Sequence, residues 1–184
     1  MPKRSLPTSK SKSARTITVI GIDCAAQPKN VGLALGSWKL GRTTISETAS
    51  ARTWPEIVSI IRAWVRRPTL LALDAPLGWP ASLGPALRGH AAGEAIESEA
   101  NQLFRRETDD VVHAALQKRP LDVGADRIAR TALAALRLLG DVRKDLKQPI
   151  PLCWAPRDLT RTQAIEVYPA ATLKGRGLVH TGYN

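Results

Sequence analysis

The segment that most constrains the fold is Leu70–Pro80, with the sequence LLALDAPLGWP. Its apolar first half is typical of a strand that is buried on both faces, as in a parallel sheet. Pro76, Gly78 and Pro80 then end that strand. Asp74 is therefore predicted at the C-terminal end of a central strand, which is the edge of an open α/β sheet at which ligands bind.

Two further segments have the same pattern, an apolar strand that ends in one acid. Asp23 ends the segment ITVIGID, and Glu166 ends the segment TQAIE. In all three strands the residue two positions before the acid is Gly or Ala, and residues two apart in a strand share a face. Three such strands side by side would form a shallow hollow with three carboxylates at its rim. The alternative for each acid alone is an ordinary strand-end residue in solvent.

The order of elements predicts an α/β fold with a mixed sheet. The predicted strands are residues 16–24, 31–38, 42–49, 69–74 and the segment that ends at Glu166. Short turns join the first three strands, which indicates an antiparallel meander. A helix with capping-box spacing between Thr53 and Glu56 separates the third strand from the fourth. Because this crossover is long, the fourth strand should pair in parallel with an earlier one.

Residues 81–150 are predicted to form a helical insertion between the fourth and fifth strands, because Ala, Leu and charged residues dominate there without a strand pattern. The helices expected are residues 95–104, a helix capped by Thr108, and residues 126–139 with Gly140 as their C-terminal stop. A Pro-rich loop should follow over residues 141–162. No helix is predicted after the fifth strand.

Composition predicts a basic tail at residues 1–15 and one domain over residues 16–184. The chain has 184 residues, 43% of them hydrophobic, enough for one globular core. Its net charge is +11, and five of these charges lie in the tail, so the body carries +6. This balance favours nucleic acid as the partner, although solubility explains it equally well. No membrane span of ~20 apolar residues is present, no protein partner is predicted, and the oligomeric state is left open.

The two cysteines, Cys24 and Cys153, lie far apart and form no Cys-x-x-Cys motif. Since the chain also has only three His, a structural zinc site is not expected. Cys24 is interpreted as a core residue. Unpaired cysteines without the apolar core of a secretory signal favour a reducing, cytoplasmic location.

Five successive motifs resemble the family called domain of unknown function 429. They are VIGIDCA, LALDAPLGWP, RRETDD, VGADRIARTA and AIEVYPA, in that order along nearly the whole chain. Members of that family are described as predicted ribonuclease-H-like nucleases, so the resemblance implies a ribonuclease-H-like fold with Asp23, Asp74 and Glu166 as its acidic site. The residues that it places near this site are Arg106, Asp109 and Asp126. Fold relatives usually add a further helix after the fifth strand, and here that last helix is expected to be missing.

The chemistry of the three acids can also be argued from their charge. Clustered carboxylates repel one another unless a cation or protons neutralise them. Oxygen ligands select Mg²⁺ or Mn²⁺, and two such ions ~3.5–4 Å apart can hydrolyse a phosphodiester. The sequence therefore predicts a metal-dependent nuclease in which Asp23 bridges two ions while Asp74 and Glu166 hold one each. Asp126 is a further candidate ligand.

Four side chains are candidates for contact with the substrate: Arg105, Arg106, Asp109 and Trp79. The arginines would hold a phosphate, and the tryptophan would stack on a base. The alternatives are surface charges on a helix for the arginines and a packed loop anchor for Trp79.

Two rival functions are compatible with this fold class. One is a catalytically inactive module that binds nucleic acid or serves in an assembly. The other is an actin-like or sugar-kinase-type phosphate-binding fold, which is disfavoured because the turn at residues 25–30 lacks the glycines that a phosphate loop uses. The chain is also about half the length that two such domains need.

Overall fold

The computed structural model describes residues 15–124, 126–155 and 159–181. The strands are β1 (Ile17–Asp23), β2 (Gly32–Lys39), β3 (Arg42–Ser50), β4 (Thr69–Asp74) and β5 (Gln163–Glu166). The α-helices are α1 (Trp54–Trp64), α2 (Leu83–Leu87), α3 (Ala100–Phe104), α4 (Glu107–Leu116), α5 (Asp126–Leu146) and α6 (Pro169–Gly175). The predicted tail, apart from Arg15, lies outside the described residues.

The five strands form one mixed sheet in the order β3-β2-β1-β4-β5. β2 is antiparallel to both β1 and β3, whereas β4 is parallel to β1 and to β5. The predicted α/β class, the antiparallel meander and the parallel pairing of the fourth strand are therefore confirmed. The parallel pairing brings the C-terminal ends of β1, β4 and β5 to the same edge of the sheet.

The core lies between one face of the sheet and helices α1 and α5. Ile20 of β1 and Leu71 of β4 belong to the same buried cluster as Ile57 and Ile61 of α1 and Leu139 of α5. Burial of each such side chain contributes roughly 1.5–3 kcal/mol. This cluster fixes β1 and β4 side by side, and it therefore also fixes the strand ends that carry the acids.

Helix α1 begins with the predicted capping box. The Thr53 hydroxyl accepts a hydrogen bond from the backbone N–H of Glu56 at 3.4 Å, and the Glu56 carboxylate accepts one from the N–H of Thr53 at 3.2 Å. Trp64 at the other end of the helix is buried, as expected for a core tryptophan, and Trp54 packs against the core.

Replacing Thr53 with Ala should lower the free energy of unfolding by about 1 kcal/mol, because the backbone N–H of Glu56 loses the hydroxyl that caps it. Ser59→Ala is the matched control, since Ser59 is an exposed hydroxyl residue inside the same helix. That control should leave stability unchanged or raise it slightly through helix propensity. Urea denaturation of the two variants measures the difference, and equal stabilities would contradict a capping role for Thr53.

The insertion is helical as predicted, but its last helix is longer than predicted. α5 continues through Gly140 to Leu146, so Gly140 is not a C-terminal stop and residues 141–146 are not loop. The physical reason is packing: Leu139 and Val142 extend the buried stripe of the helix past the glycine. Burial of these side chains outweighs the roughly 1 kcal/mol that glycine costs inside a helix.

Three other helix boundaries differ from the sequence prediction. α3 covers only residues 100–104 of the predicted 95–104. The N-cap of α4 is Arg106 rather than Thr108, because the Asp109 carboxylate accepts a hydrogen bond from the backbone N–H of Arg106 at 3.1 Å. A helix does follow the fifth strand, so the expectation that it is missing is wrong; α6 begins with Pro169 in its first turn, where proline is well tolerated. α6 carries no acidic residue, and no described helix is both long and apolar enough to cross a membrane.

Candidate acidic site and the adjoining cleft

Asp23 and Asp74 lie side by side at the C-terminal ends of β1 and β4. The register pairs them directly, as it pairs Gly21 with Ala72 two residues earlier. Paired residues of neighbouring parallel strands share a face, and the strands are about 4.8 Å apart. The two carboxylates and the two small residues beneath them are therefore arranged as the sequence predicted.

The negative charges of the Asp23 and Asp74 carboxylates are not balanced by positive side chains among the described residues. Burial raises the pKa of Asp74 to about 6, and the nearby carboxylates of Asp23 and Glu166 add to the shift. Among the described residues, neither Asp23 nor Asp74 forms an ion pair with a cationic side chain. A cation placed here would relieve the repulsion directly.

Cys24, the residue after Asp23, behaves as a structural thiol. It packs against the core cluster, and burial together with the charges of Asp74 and Asp23 raises the pKa of its thiol to about 12. A thiol with so high a pKa is protonated and unreactive at neutral pH. Both Cys24 and Cys153 are free cysteines, and the packing of Cys24 against the core agrees with its interpretation as a core residue.

Glu166 does not share the face of the two aspartates, and the predicted hollow common to three strands is wrong for β5. The register places Glu166 beside Leu73 and Ala164 beside Leu71. β5 is thus offset by one residue from the alignment that the prediction needed, and one residue of offset moves a strand's side chains to the opposite face. Ala164 is accordingly fully buried in the core rather than beneath an open site.

The Glu166 carboxylate instead bridges two segments at the strand ends. It accepts a hydrogen bond from the backbone N–H of Leu77 at 2.9 Å, in the loop that follows Asp74. It also accepts two hydrogen bonds from the guanidinium of Arg106, at 2.7 and 2.8 Å. Such bidentate pairs are stronger and more directional than single ion pairs. Glu166 therefore ties the Asp74 loop and the helical insertion to β5.

Arg106 is shared between Glu166 and Asp109. Its Nε and Nη2 donate to the two carboxylate oxygens of Asp109 at 3.0 and 2.6 Å. Burial works against the charge of Arg106, but the hydrogen bonds to Glu166 and Asp109 outweigh it and raise its pKa above the ordinary value. Only 4% of the Asp109 side chain and 10% of that of Arg106 are exposed. These two predicted substrate contacts are therefore engaged with each other and with Glu166.

The residues present fit a hard divalent cation only in part. Asp23 and Asp74 supply paired oxygen donors without a counter-ion, which suits Mg²⁺ or Mn²⁺. The negative charge of Glu166 is already balanced by its ion pair with Arg106. Asp126 is 82% exposed, pairs with Arg130, and is not among the charges that raise the pKa of Asp74. Within the described residues no three His, Cys, Asp or Glu side chains form a group that could hold a metal ion.

A cleft of about 1070 Å³ lies beside Glu166. Four segments line it: the loop after β4, the start of α4, residues 152–154, and β5. Trp79 and Trp154 are both lining residues, with 36% and 82% of their surface exposed. Arg105 and Arg106 also line the cleft, whereas Asp23 and Asp74 do not.

Sequence reasoning missed two participants in this region. The backbone N–H of Leu77 has no signature in the side-chain pattern, although the Pro76–Gly78 punctuation did mark the loop that presents it. Trp154 lies in a Pro-rich stretch without periodicity, and its exposure could not be read from the sequence. Its neighbours in the sequence, Cys153 and Pro156, do not form with it any motif that indicates a binding site.

Comparison with protein families places the chain in a family. The family described as "Protein of unknown function (DUF429)" matches residues 21–184, which confirms the resemblance seen in the motifs. Neither the curated proteins nor the solved structures gave a significant match.

Proposed function

We propose that this chain, which belongs to the domain of unknown function 429 family, is a divalent-metal-dependent nuclease with a ribonuclease-H-like fold. The observation that carries the proposal is the side-by-side pair of Asp23 and Asp74 at the C-terminal ends of two central parallel strands. The order β-β-β-α-β, helical insertion, β supports the fold assignment. The basic body supports nucleic acid as the substrate.

In this proposal Asp23 and Asp74 hold Mg²⁺ or Mn²⁺ at the open edge of the sheet. The metal, when bound, would supply an activated water and charge stabilisation at the scissile phosphate. Asp74, with its pKa near 6, is the carboxylate whose ionisation limits metal binding in mildly acidic solution. Glu166 acts as a positioning residue: through Leu77 it fixes the loop that begins directly after Asp74.

A second candidate is a nucleic-acid-binding module without catalysis, and one observation favours it. The Glu166 carboxylate is ion-paired with Arg106. Of the three predicted metal ligands, the carboxylates of Asp23 and Asp74 are therefore left to hold a metal. An actin-like or sugar-kinase-type site has no comparable support. A cytoplasmic location remains part of the proposal; the free cysteines are compatible with it.

The test is a cleavage assay of the full chain on labelled single- and double-stranded DNA and RNA, with Mg²⁺, Mn²⁺ or EDTA. Cleavage that requires the metal supports the nuclease proposal. Binding of the same substrates without cleavage under every metal condition would overturn it in favour of the inactive module. The preparation is first shown to be folded by its cooperative unfolding, so that a lack of activity is informative.

The melting temperature offers an independent measurement of the metal site. Saturating Mn²⁺ or Mg²⁺ should raise it, because a ligand that binds only the folded chain stabilises by about 2.7 kcal/mol at a hundred times its Kd. Asp141→Asn is a control that should respond like the original protein, since Asp141 is 51% exposed and forms an ion pair with Lys144 on the surface of α5. No shift at millimolar metal would contradict a resident cation.

A further inference from the structure

The cleft beside Glu166 combines two exposed indole rings from different parts of the chain. Trp79 comes from the loop after β4, and Trp154 comes from the segment that precedes β5. Tryptophan is on average a highly buried residue, so 82% exposure of Trp154 is unusual. Two tryptophans that open onto one cleft offer flat aromatic surface to a ligand.

Arg105 supplies a second cationic side chain at the same cleft, and the structure pairs it with Asp122 beyond hydrogen-bond distance. Its side chain is 18% exposed, and its Nε is buried without a hydrogen-bond partner. Its nearest charge is Asp122, at 3.8 Å, whose own side chain is 46% exposed. The neighbouring Arg106 differs, because Glu166 and Asp109 occupy its donors. A phosphate that reached the Arg105 guanidinium would complement its charge more closely than Asp122 does at 3.8 Å.

We propose that this cleft binds an unpaired nucleobase of a single-stranded nucleic acid, with the base stacked on Trp154 and Trp79 and a flanking phosphate on Arg105. The inference rests on the proposed function, since it names the form of nucleic acid that reaches the acidic site. Every base has a π-face, so such stacking is tolerant of sequence. Ser82, Gln102 and Thr108 line the same cleft and offer hydrogen-bonding groups to a base edge.

The size of the cleft and the net charge of the whole chain favour this ligand over others. A volume of about 1070 Å³ lies at the upper end of the range for small-ligand sites, enough for a nucleotide with part of its neighbours. Bases in a duplex are stacked inside the helix and cannot present a face to tryptophan. A net charge of +11 favours a polyanion over an apolar peptide.

The experiment compares the binding of a fluorescent single strand, its duplex and an abasic strand of equal length, all in EDTA. Trp154→Ala should weaken single-strand binding about 5- to 150-fold, the range that loss of one stacked base implies. Trp38→Ala is the matched control: Trp38 is 40% exposed on β2 and does not line the cleft, so its loss should change nothing. Arg105→Met should lower the salt slope of single-strand binding by about 0.7.

Equal affinities for Trp154→Ala and Trp38→Ala would overturn the inference, and so would equal binding of the abasic strand or the duplex. Because the measurement is made in EDTA, it does not depend on cleavage. If the chain stacks bases but cleaves nothing, the base-binding cleft stands and only the nuclease proposal is overturned. If the chain cleaves nucleic acid but does not stack bases, the nuclease proposal stands and only the base-binding cleft is overturned.

Discussion

Replacing Arg106 with Met should lower the free energy of unfolding by about 3–5 kcal/mol, the cost of removing one partner from a buried ion pair. Asp109 is 4% exposed and would lose the only cation with which it forms an ion pair among the described residues. Glu166 would lose both guanidinium hydrogen bonds and keep only that from Leu77. The methionine preserves most of the apolar stem, so the loss reports on charge and hydrogen bonding rather than on packing.

Chemical denaturation at neutral pH measures this effect, with Arg130→Met as the matched control. Arg130 is 78% exposed and reaches Asp126 only at 4.0 Å, so its replacement should stay within about 0.5 kcal/mol of the original. Adding Asp109→Asn and Glu166→Gln to Arg106→Met should recover part of the stability, because the unpaired charges are then removed. If Arg106→Met costs no more than Arg130→Met, water satisfies the carboxylates and the salt bridges do not hold the insertion to β5.

The Asp23–Asp74 pair could be predicted because its information is local. Each acid follows an apolar run, and the crossover helix α1 makes β1 and β4 parallel neighbours. Both strands also alternate small and large residues in the same phase, Gly21–Ile22–Asp23 and Ala72–Leu73–Asp74. Once the strands are adjacent and level, the two carboxylates must share a face.

The position of Glu166 could not be predicted in the same way, because register is a property of two strands. Ala164–Ile165–Glu166 repeats the small–large–acid pattern, yet β5 pairs one residue out of phase with β4. A four-residue strand has too short an alternation to reveal the offset. Its partner Arg106 was found only as a basic residue near an acidic site, and its saturation by two carboxylates depends on the fold of the insertion.

The wrongly predicted end of helix α5 illustrates how tertiary packing overrides local sequence signals. Gly140 ends a helix on propensity alone, but Leu139 and Val142 bury the same stripe on either side of it. The exposed Trp154 shows the opposite case. Its Pro-rich segment has no periodicity from which exposure could be predicted, and the three-dimensional arrangement of four segments places it at the cleft.

Replacing Asp74 with Asn should abolish metal-dependent cleavage while leaving the metal-free protein as stable as before or more stable. The loss of a metal-holding carboxylate removes several kcal/mol of transition-state stabilisation, so the rate should fall at least about a hundredfold. In the metal-free protein the change relieves repulsion by Asp23 and Glu166. The gain at pH 7 should be about 1–2 kcal/mol, after allowance for the solvent screening of a partly exposed group.

The contribution of Asp74 to the free energy of unfolding should depend on pH. The pKa of Asp74 is raised to about 6 in the folded chain, above the ordinary value of 3.8, so between these pH values the folded state binds more protons than the unfolded state. Stability should therefore fall as the pH rises from about 4 to about 6, and Asp74→Asn should remove that fall. Urea denaturation in EDTA across this range measures it, with Asp141→Asn as the exposed control. A clear loss of metal-free stability in Asp74→Asn would instead assign Asp74 a structural role, as an acceptor for the backbone of the turn that follows it.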